Sequence, residues 1–326
     1  MHRRLISVVT ACYNEEDNVR LLYEAVRDQM AKFPQYRYEH VFIDNASTDA
    51  TQQILRALAS ADPRVKAIFN NRNFGPVRSP MHGLLAARGD AVIGIACDFQ
   101  DPPDLIPELV TRWERGARTV LCVKPVSEES RLMYAVRSAY YRLLGRLSES
   151  EIVPQATGFG IFDRSVMDEV RSLNDPYPFF RGLLAEIGAS VEQLPYRQPA
   201  RARGKSKISL VALIDVAMLG LVNHTRAPLR LAMLVGFAIA GLSALIGFGY
   251  LIAKLLFWNS FSLGVAPIVS GFFLLSAVQL IFIGIVGEYV GAIFAQVKSR
   301  PLVFERERLN FDRDEPQPPA EATREA

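Results

Sequence analysis

Two long stretches without a charged residue constrain this chain more than any other feature. Residues 231–253 and 263–287 each exceed the roughly 20 residues that a helix needs to cross the apolar core of a bilayer. The link between them, residues 254–262, is short, so the two stretches predict a transmembrane hairpin. The alternative is a pair of buried core helices, but core helices rarely stay uncharged over such a length.

Basic residues flank the two stretches and predict how the hairpin is oriented. Arg226 and Arg230 precede the first span. Four more basic residues follow the second span: Lys298, Arg300, Arg306 and Arg308. Because positive charges near membrane spans stay on the cytoplasmic side, we expect residues 1–225 and the C-terminal tail in the cytoplasm. The chain is then a multi-pass protein of the cell inner (cytoplasmic) membrane.

The composition agrees with a membrane protein and excludes one class of partner. Hydrophobic residues make up 50% of the chain, and the net charge of +3 is nearly balanced. We therefore expect no nucleic-acid partner, which would need a strong basic excess. Cys12, Cys97 and Cys122 lie in or beside apolar runs without metal-ligand spacing, which predicts reduced thiols in the core.

Short β-rich runs alternate with helical patterns over residues 1–123. The predicted strands are 5–11, 38–44, 64–70, 91–97 and 119–123. The predicted helices are 15–33, 49–61, 78–88 and 104–115. This alternation is typical of an α/β domain, a parallel sheet with helices on both faces.

Polar residues cluster where three of these strands end. The clusters are YNEE at 13–16, DNASTD at 44–49 and DFQDPP at 98–103. Ligands of such sheets bind beyond the carboxyl ends of the strands, so we expect the three clusters to line one cleft. No Gly-x-Gly-x-x-Gly sequence follows the first strand, which argues against a dinucleotide-binding fold.

The third cluster indicates a metal site. Asp98, Gln100 and Asp101 form a dense set of oxygen ligands behind a buried strand. Mg²⁺ and Mn²⁺ prefer oxygen ligands and often bridge one or two carboxylates to substrate phosphates. Pro102 and Pro103 stiffen the loop and begin the next helix. A solvated strand end is the plainer interpretation of the same residues.

The YNEE cluster has both a structural and a functional interpretation. Glu15 and Glu16 would open a helix, where acidic side chains meet the helix dipole favourably. Tyr13 and Asn14, at the strand end itself, are better placed to contact a ligand.

The DNASTD cluster divides in the same way. Ser47 and Asp49 are typical of a turn followed by a helix N-cap. Asp44 differs because it ends the strand at the edge of the predicted cleft. A carboxylate there suits a hydrogen bond to a nucleotide base or ribose.

The rest of the chain is less regular. We expect a basic, aromatic helix near 131–147, a helix at 178–188 and a strand near 191–197. The predicted organisation is a cytoplasmic catalytic domain at 1–207, an interfacial amphipathic helix at 208–228, the hairpin at 229–296, and a cytoplasmic tail at 297–326 that is disordered from about 310.

Five motifs in this order carry a specific resemblance. They are YNEE, DNASTD, DFQDPP, RARGKSK at 201–207 and GIVGEYVGAIFAQVKSRP at 284–301. The set closely resembles the polyprenyl-phosphate glycosyltransferases of glycosyltransferase family 2, in the dolichyl-phosphate-mannose-synthase-like branch that carries a C-terminal membrane hairpin. The resemblance covers residues 5–305. It implies a Rossmann-like GT-A fold, a UDP- or GDP-sugar donor, Mg²⁺ or Mn²⁺, and a polyprenyl phosphate acceptor, which in a bacterium is undecaprenyl phosphate.

The resemblance also implies roles for individual residues. Asp98 and Gln100 resemble the metal ligands, and Asp98 is a catalytic and nucleotide-sugar contact as well. Tyr13, Glu15 and Asp44 resemble contacts to the nucleotide. The acceptor phosphate is expected at Arg131, Arg137, Ser138 and Ser206, and the catalytic cations at Arg137, Arg201 and Lys207. The basic loop also has a plainer interpretation as a patch that attracts anionic lipid headgroups.

Two departures from the family pattern affect the chemistry. Many relatives have Asp-x-Asp where this chain has Ala96, Cys97 and Asp98, so one expected carboxylate is missing. Gly158 occupies the position of an acid sometimes proposed as catalytic. We therefore expect no essential carboxylate base, and we expect Asp163 to be structural, either paired with Arg164 or capping the next helix.

The function predicted from the sequence is an inverting transfer of a sugar from a nucleotide donor, UDP- rather than GDP-linked, to a polyprenyl phosphate. The partners are the nucleotide-sugar, the lipid and the membrane, and we expect a homo-oligomer. One alternative is a processive polysaccharide synthase, which would need a Gln-x-x-Arg-Trp-type motif that neither Trp113 nor Trp258 supplies. Another is a non-enzymatic lipid-binding module, which would not need the cleft motifs.

Overall fold

The computed structural model describes residues 3–124, 153, 156–176, 178–199, 227–256, 265–298 and 300–311. The strands are β1 (Leu5–Cys12), β2 (Arg37–Asp44), β3 (Val65–Asn70), β4 (Ala91–Gly94), β5 (Thr119–Val123), β6 (Ala156–Asp163), β7 (Glu192–Pro195) and β8 (Glu305–Leu309). The helices are α1 (Val19–Met30), α2 (Thr51–Ala61), α3 (Gly75–Ala86), α4 (Ile106–Glu114), α5 (Arg164–Ser172), α6 (Phe180–Glu186), α7 (Ala227–Leu256) and α8 (Val265–Lys298).

In the described residues, eight strands form one sheet in the order β7-β5-β6-β4-β1-β2-β3-β8. The predicted parallel arrangement is confirmed for the centre, where β1 pairs with β2 and β4, and β2 pairs with β3. Beyond β4 the sheet is mixed, although β5 and β7 pair in parallel. There β6 lies antiparallel between β4 and β5, so β5 does not neighbour the strand that precedes it in the chain.

Both faces of the sheet are covered, as the α/β prediction requires. One cluster of buried side chains packs α1, α2 and α4 against the sheet, and includes Leu22, Leu55 and Leu109. The other lies under α3, α5 and α6, and includes Leu84 and Met167. In the described residues, the central strands are therefore buried on both faces of the sheet.

Two elements that border the predicted cleft begin or end at other residues than the sequence predicts. Helix α1 begins at Val19, four residues after the predicted start, and has no acidic residue in its first turn. The prediction that Glu15 and Glu16 open this helix is therefore wrong. Strand β4 ends at Gly94 and not at residue 97, so the chain leaves the sheet before it reaches Asp98.

The first uncharged stretch lies in the long helix α7, and residues 265–287 of the second lie in α8, which contacts α7. Across the described residues, Val278–Lys298 is the segment long and apolar enough to cross a membrane. Its large side chains are exposed, among them Ile283 and Phe294. This exposed apolar surface indicates association with a membrane. The second predicted span stays a prediction.

The segment after α8 returns to the globular domain. Strand β8 pairs antiparallel with β3 and forms the outer edge of the sheet. Asn310 reinforces the edge, because its side-chain amide donates to the carbonyl oxygens of Ala59 and Val65 at 2.6 and 2.8 Å. The sequence analysis predicted a tail here. The structure has a strand instead, which the charged sequence ERERL did not indicate.

Candidate active site

The loops that follow β1 and β2 are tied together by hydrogen bonds. The backbone N–H of Asn14 donates to Ser47 Oγ at 2.8 Å, and Asn14 Oδ1 accepts from the backbone N–H of Thr48 at 2.7 Å. The backbone N–H of Glu15 donates to Thr51 Oγ1 at 2.8 Å. The first two polar clusters therefore form one rigid unit at the carboxyl ends of neighbouring strands.

The acidic side chains of these loops join the unit together, and two of them lie at the start of α2 and not of α1. Glu16 accepts from the backbone N–H of Ala50 at 2.9 Å, and Glu15 accepts from Asn18 Nδ2 at 2.7 Å. Asp49 accepts from the backbone N–H of Thr51 at 3.0 Å, beside the start of α2. Helix α2 itself begins after Ala50, without a side-chain N-cap.

Asp44 lies at the floor of this unit and is fully buried. Its carboxylate accepts from the backbone N–H of Ser47 at 3.1 Å and from Gln52 Nε2 at 2.8 Å. Burial raises the pKa of Asp44 above its ordinary value, and the hydrogen bonds from Ser47 and Gln52 oppose that rise. Its role as a nucleotide contact stays a prediction, as do those of Tyr13 and Glu15, which are half-buried beside it.

The loop after β4 brings Asp98 and Gln100 into one tight turn. Phe99 between them has a φ of 59°, a left-handed conformation that is uncommon for a residue with a side chain. The backbone N–H of Gln100 donates to Asp98 Oδ1 at 3.2 Å. Asp98 is only 6% exposed. The turn therefore holds two oxygen-bearing side chains together at the edge of the sheet.

Asp101 is held by hydrogen bonds within and beside this loop. Its carboxylate accepts from the backbone N–H of Ala96 at 2.9 Å and from the hydroxyl of Tyr196 at 3.1 Å. Burial raises the pKa of Asp101 to about 6. Both of its oxygens accept hydrogen bonds that fix the loop, so Asp101 holds the turn that carries Asp98 and Gln100. A role of Asp101 as a further ligand stays a prediction.

The three predicted clusters follow the carboxyl ends of β1, β2 and β4, which are neighbouring parallel strands. Cys12 ends β1, between β2 and β4. Its pKa is raised by a hydrogen bond with Cys97, by burial, and by the negative charges of Asp44 and Glu15. Because parallel strands present their carboxyl ends at one edge of a sheet, the three loops lie at the same edge.

A metal at this point would need ligands from the substrate. In the described part of the chain, no group of three or more His, Cys, Asp or Glu side chains could hold an ion. Asp98 and Gln100 fit the other mode of Mg²⁺ or Mn²⁺ binding, in which one or two protein oxygens act with substrate phosphates and water. This donor set is consistent with the predicted site.

Asp163 lies at the wrong end of the sheet for catalysis. It pairs with Ala91 at the start of β4, whereas Gly160 pairs with Gly94 at the end. That register separates Asp163 from the cleft edge by at least about 10 Å. Its carboxylate caps α5 through the backbone N–H of Ser165 at 3.0 Å and accepts from Trp113 Nε1 at 2.9 Å. The predicted capping role is confirmed.

Gly158 lies near the cleft edge, in the part of β6 beyond Gly160. Its carbonyl oxygen is 3.1 Å from the position of a Cβ built on Gly94 at the end of β4. Among the residues that the structure describes, nothing lies within 4 Å of a Cβ built on Gly158 itself. Arg164 does not pair with Asp163 but donates to the carbonyl oxygens of Gly89 and Ala87.

Six predicted site residues lie outside the described residues. They are Arg131, Arg137, Ser138, Arg201, Ser206 and Lys207. The predicted helix at 131–147 and residues 208–226 of the predicted interfacial helix also lie there. The acceptor side of the site therefore stays a prediction.

Sequence reasoning missed an asparagine network behind the cleft. Asn45 donates to Asn73 Oδ1 at 2.9 Å and accepts from Asn70 Nδ2 at 3.1 Å. Asn45 Oδ1 also accepts from the backbone N–H of Phe74 at 2.9 Å. The network joins the loop after β2 to the loop after β3. Asn70 at the end of the third strand is the signal that could have revealed it.

Comparisons with known proteins identify a matching family and several similar proteins. Residues 7–171 match the family described as Glycosyl transferase family 2. The chain is 35% identical over 297 residues to the SfII prophage-derived bactoprenol glucosyl transferase of Shigella flexneri, which covers 91% of this chain and 96% of the relative. It is 31% identical over 297 residues to the prophage bactoprenol glucosyl transferase homolog of Escherichia coli K12, with 91% and 96% covered.

Among solved structures, glucosyl-3-phosphoglycerate synthase from Mycobacterium tuberculosis, in complex with Mn²⁺, uridine diphosphate and glucosyl-3-phosphoglycerate, is 23% identical to this chain. The similarity covers 67% of this chain and 78% of that one, with a TM-score of 0.44.

Proposed function

Because the chain belongs to glycosyltransferase family 2, we propose that it transfers glucose from UDP-glucose to a polyprenyl phosphate at the cytoplasmic face of the membrane. The family predicted from the five motifs is confirmed by the match over residues 7–171 and by relatives that align over most of the chain. The relatives named bactoprenol glucosyl transferases support both the sugar and the class of lipid. Their coverage includes the segments that hold α7 and α8.

One structural observation carries the proposal, namely the convergence of the loops after β1, β2 and β4. A nucleotide-sugar needs a site for its nucleoside and a site for its diphosphate. The joined loops of Asn14 and Ser47, with Asp44 at their floor, supply the first. The turn of Asp98 and Gln100 supplies the second.

Asp98 and Gln100 would hold Mg²⁺ or Mn²⁺ together with the donor diphosphate. The ion, when bound, offsets the negative charge that develops on the leaving diphosphate. Asp101 keeps the turn in place through Ala96 and Tyr196, so the two ligands are presented without rearrangement. Inversion at the sugar carbon is part of the proposal, since one displacement by the acceptor accounts for the transfer.

No side chain is needed as a general base. The second pKa of a phosphate monoester is about 6, so the acceptor is largely a dianion at neutral pH. It is already a nucleophile, and the protein must place it and reduce its repulsion from the donor. We assign this task to the cations Arg137, Arg201 and Lys207. Further contacts to the acceptor phosphate would come from Arg131, Ser138 and Ser206.

The membrane helices place the cleft beside its lipid substrate. The exposed apolar side chains of α8 indicate contact with lipid, and a hairpin formed with α7 would fix the domain at the bilayer surface. We propose that both ends of the chain lie in the cytoplasm, where nucleotide-sugars are available, and that the protein assembles as a homo-oligomer.

A donor panel tests this function. Membranes that contain the full chain are incubated with undecaprenyl phosphate and radioactive UDP-glucose, UDP-galactose, UDP-N-acetylglucosamine or GDP-mannose. Labelling of a chloroform-soluble lipid from UDP-glucose supports the proposal. Labelling of an insoluble polymer would favour a processive synthase, and no labelling from any donor would favour a lipid-binding module.

A further inference from the structure

The strand that follows the membrane helices reaches the predicted nucleotide pocket through a single side chain. Arg306, in β8, donates through Nη2 to Gln52 Oε1 at 2.7 Å. Gln52, in the first turn of α2, donates through Nε2 to Asp44 Oδ2 at 2.8 Å and to the carbonyl oxygen of Ser47 at 3.0 Å. Arg306 is thus linked to both ends of the loop from Asp44 to Ser47.

The chemistry of the amide makes this link directional. A glutamine side chain has one acceptor oxygen and one donor nitrogen group, and either can face a given neighbour. Because the Arg306 guanidinium can only donate, it requires the oxygen of Gln52 to face β8. The nitrogen then faces Asp44, where a carboxylate requires a donor. A flipped amide would oppose its oxygen to the carboxylate and its nitrogen to the guanidinium.

A second contact holds β8 against the same helix. Arg56, one turn after Gln52 on α2, forms a two-pronged ion pair with Glu307 at 2.6 and 2.7 Å. Consecutive residues of β8 therefore bind side chains four residues apart on α2. This geometry fixes the register of Arg306 relative to Gln52 and does not depend on Arg306 itself.

We propose that Arg306 is a positioning residue for the donor nucleotide, acting through Gln52 on Asp44 and on the Ser47 carbonyl. The inference rests on the proposed function, because it takes the loop from Asp44 to Ser47 as the nucleotide contact. The donor pocket is then completed by a strand that enters the domain only after the chain has left the membrane helix α8. Correct passage of the chain through its membrane segment becomes a condition for donor binding.

The test compares variants of the full-length protein in membranes. Arg306→Ala should raise the KM for UDP-glucose about fivefold, the size expected for one lost hydrogen bond, while kcat and the KM for the lipid stay within about twofold. Arg306→Lys keeps a donor and should recover part of the loss. Arg308→Ala is the matched control, since Arg308 lies in the same strand and donates to Glu305. It should leave the KM for UDP-glucose unchanged.

A double-mutant cycle separates positioning from simple strand docking. Gln52→Met keeps the size of the side chain but removes both of its hydrogen-bonding groups. If Arg306 acts through Gln52, then Arg306→Ala should have no further effect on the donor KM in the Gln52→Met background. If Arg306 only anchors β8, the two effects should multiply, and this result would overturn the inference.

Direct titration with UDP and Mn²⁺ distinguishes this inference from the proposed function. If the wild-type protein binds no UDP, the proposed function fails and the inference fails with it. If the wild type binds UDP and Arg306→Ala binds it equally well, the inference alone is overturned. If Arg306→Ala binds UDP about fivefold more weakly and Arg308→Ala binds it normally, both stand.

Discussion

The side-chain oxygen of Asn14 accepts a hydrogen bond from the backbone N–H of Thr48 at 2.7 Å, which locks the loop after β1 to the loop after β2. Asn14 also has a left-handed backbone with a φ of 55°, which asparagine tolerates better than most residues. The residue therefore serves the cleft in two ways. A pair of substitutions separates them.

Asn14→Gly keeps the left-handed backbone and loses the hydrogen bond, whereas Asn14→Ala loses both. We expect both variants to bind UDP more weakly. Asn14→Ala should also be less stable than Asn14→Gly by about 1 kcal/mol, the cost of holding a residue with a Cβ in this region. Calorimetric titration and thermal unfolding measure the two effects. Unchanged UDP affinity in both variants would show that the locked loops do not shape the donor pocket.

Asp98 is the carboxylate of the turn after β4 that we predict to bind the metal. Asp98→Asn keeps the shape of the side chain but removes its charge, so we expect transfer activity to fall by at least about a hundredfold. The dependence of UDP affinity on Mn²⁺ should disappear. Asp104→Asn is the control, because Asp104 is exposed nearby and accepts from Gln29. Near-normal activity of Asp98→Asn at ordinary Mg²⁺ would refute the metal assignment.

Asp163 should matter for stability and not for chemistry. Asp163→Ala removes the N-cap of α5 and the acceptor of Trp113 Nε1, which should lower the free energy of unfolding by about 1–2 kcal/mol. Turnover per folded molecule should stay within about twofold. Chemical denaturation followed by tryptophan fluorescence, together with a folded-fraction correction of kcat, checks both statements. A folded variant with intact donor affinity and a thousandfold slower chemical step would reverse the assignment.

Glu305 should make the docking of β8 depend on pH. Burial alone would raise the pKa of Glu305, but hydrogen bonds from Arg308 and His82 outweigh it and lower the pKa from 4.5 to about 2. Because the folded-state pKa is depressed, the ionised carboxylate stabilises the fold above about pH 4.5. That contribution is lost as the pH falls towards 2.

Comparison with Glu305→Gln measures this contribution. At pH 5.5 we expect the wild type to be more stable by about 1–2 kcal/mol, a value discounted because the side chain is partly exposed. The difference should shrink steadily between pH 4.5 and pH 2 in thermal unfolding curves. A difference that does not change with pH would mean that the ion pairs of Glu305 contribute nothing to folding.

The centre of the fold follows from local sequence patterns. Strands β1 to β4 are short apolar runs separated by helical patterns, and their parallel pairing follows from the crossover connections between them. The polar clusters at the strand ends could therefore be assigned to one cleft from their positions in the sequence. The oxygen ligands Asp98 and Gln100 belong to one of these clusters and follow from the same pattern.

The edges of the sheet depend on long-range contacts that no local pattern encodes. Strand β6 pairs with β4, although β5 lies between them in the sequence. Nothing in the sequence of β6 specifies its antiparallel direction. Strand β8 carries four charged residues and resembles a solvated tail, yet Glu307 pairs with Arg56 from the other end of the chain. Charged side chains that find partners this far apart look the same in sequence as charged side chains in solvent.

The hydrogen-bond partners of the loop side chains also could not be predicted from the sequence. Asp101 and Asp98 look alike in sequence as candidate metal ligands, and the hydrogen bonds of each carboxylate are seen only in the structure. Asp101 bonds Ala96 and Tyr196, and this second partner comes from just beyond β7. Likewise, Glu16 has the position of an acid that opens α1, but its carboxylate accepts from Ala50 at the start of α2.

Transfer of a single hexose to a defined lipid tests the central claim most directly. The purified full-length protein is mixed with undecaprenyl phosphate, UDP-glucose and Mg²⁺, and the lipid is examined by mass spectrometry while UDP is quantified. We predict that the lipid gains one hexose and keeps its phosphate, that one UDP is released per lipid converted, and that undecaprenol without a phosphate is not a substrate. Release of UDP without any hexose-bearing lipid phosphate, or equal reaction with undecaprenol, would contradict the account.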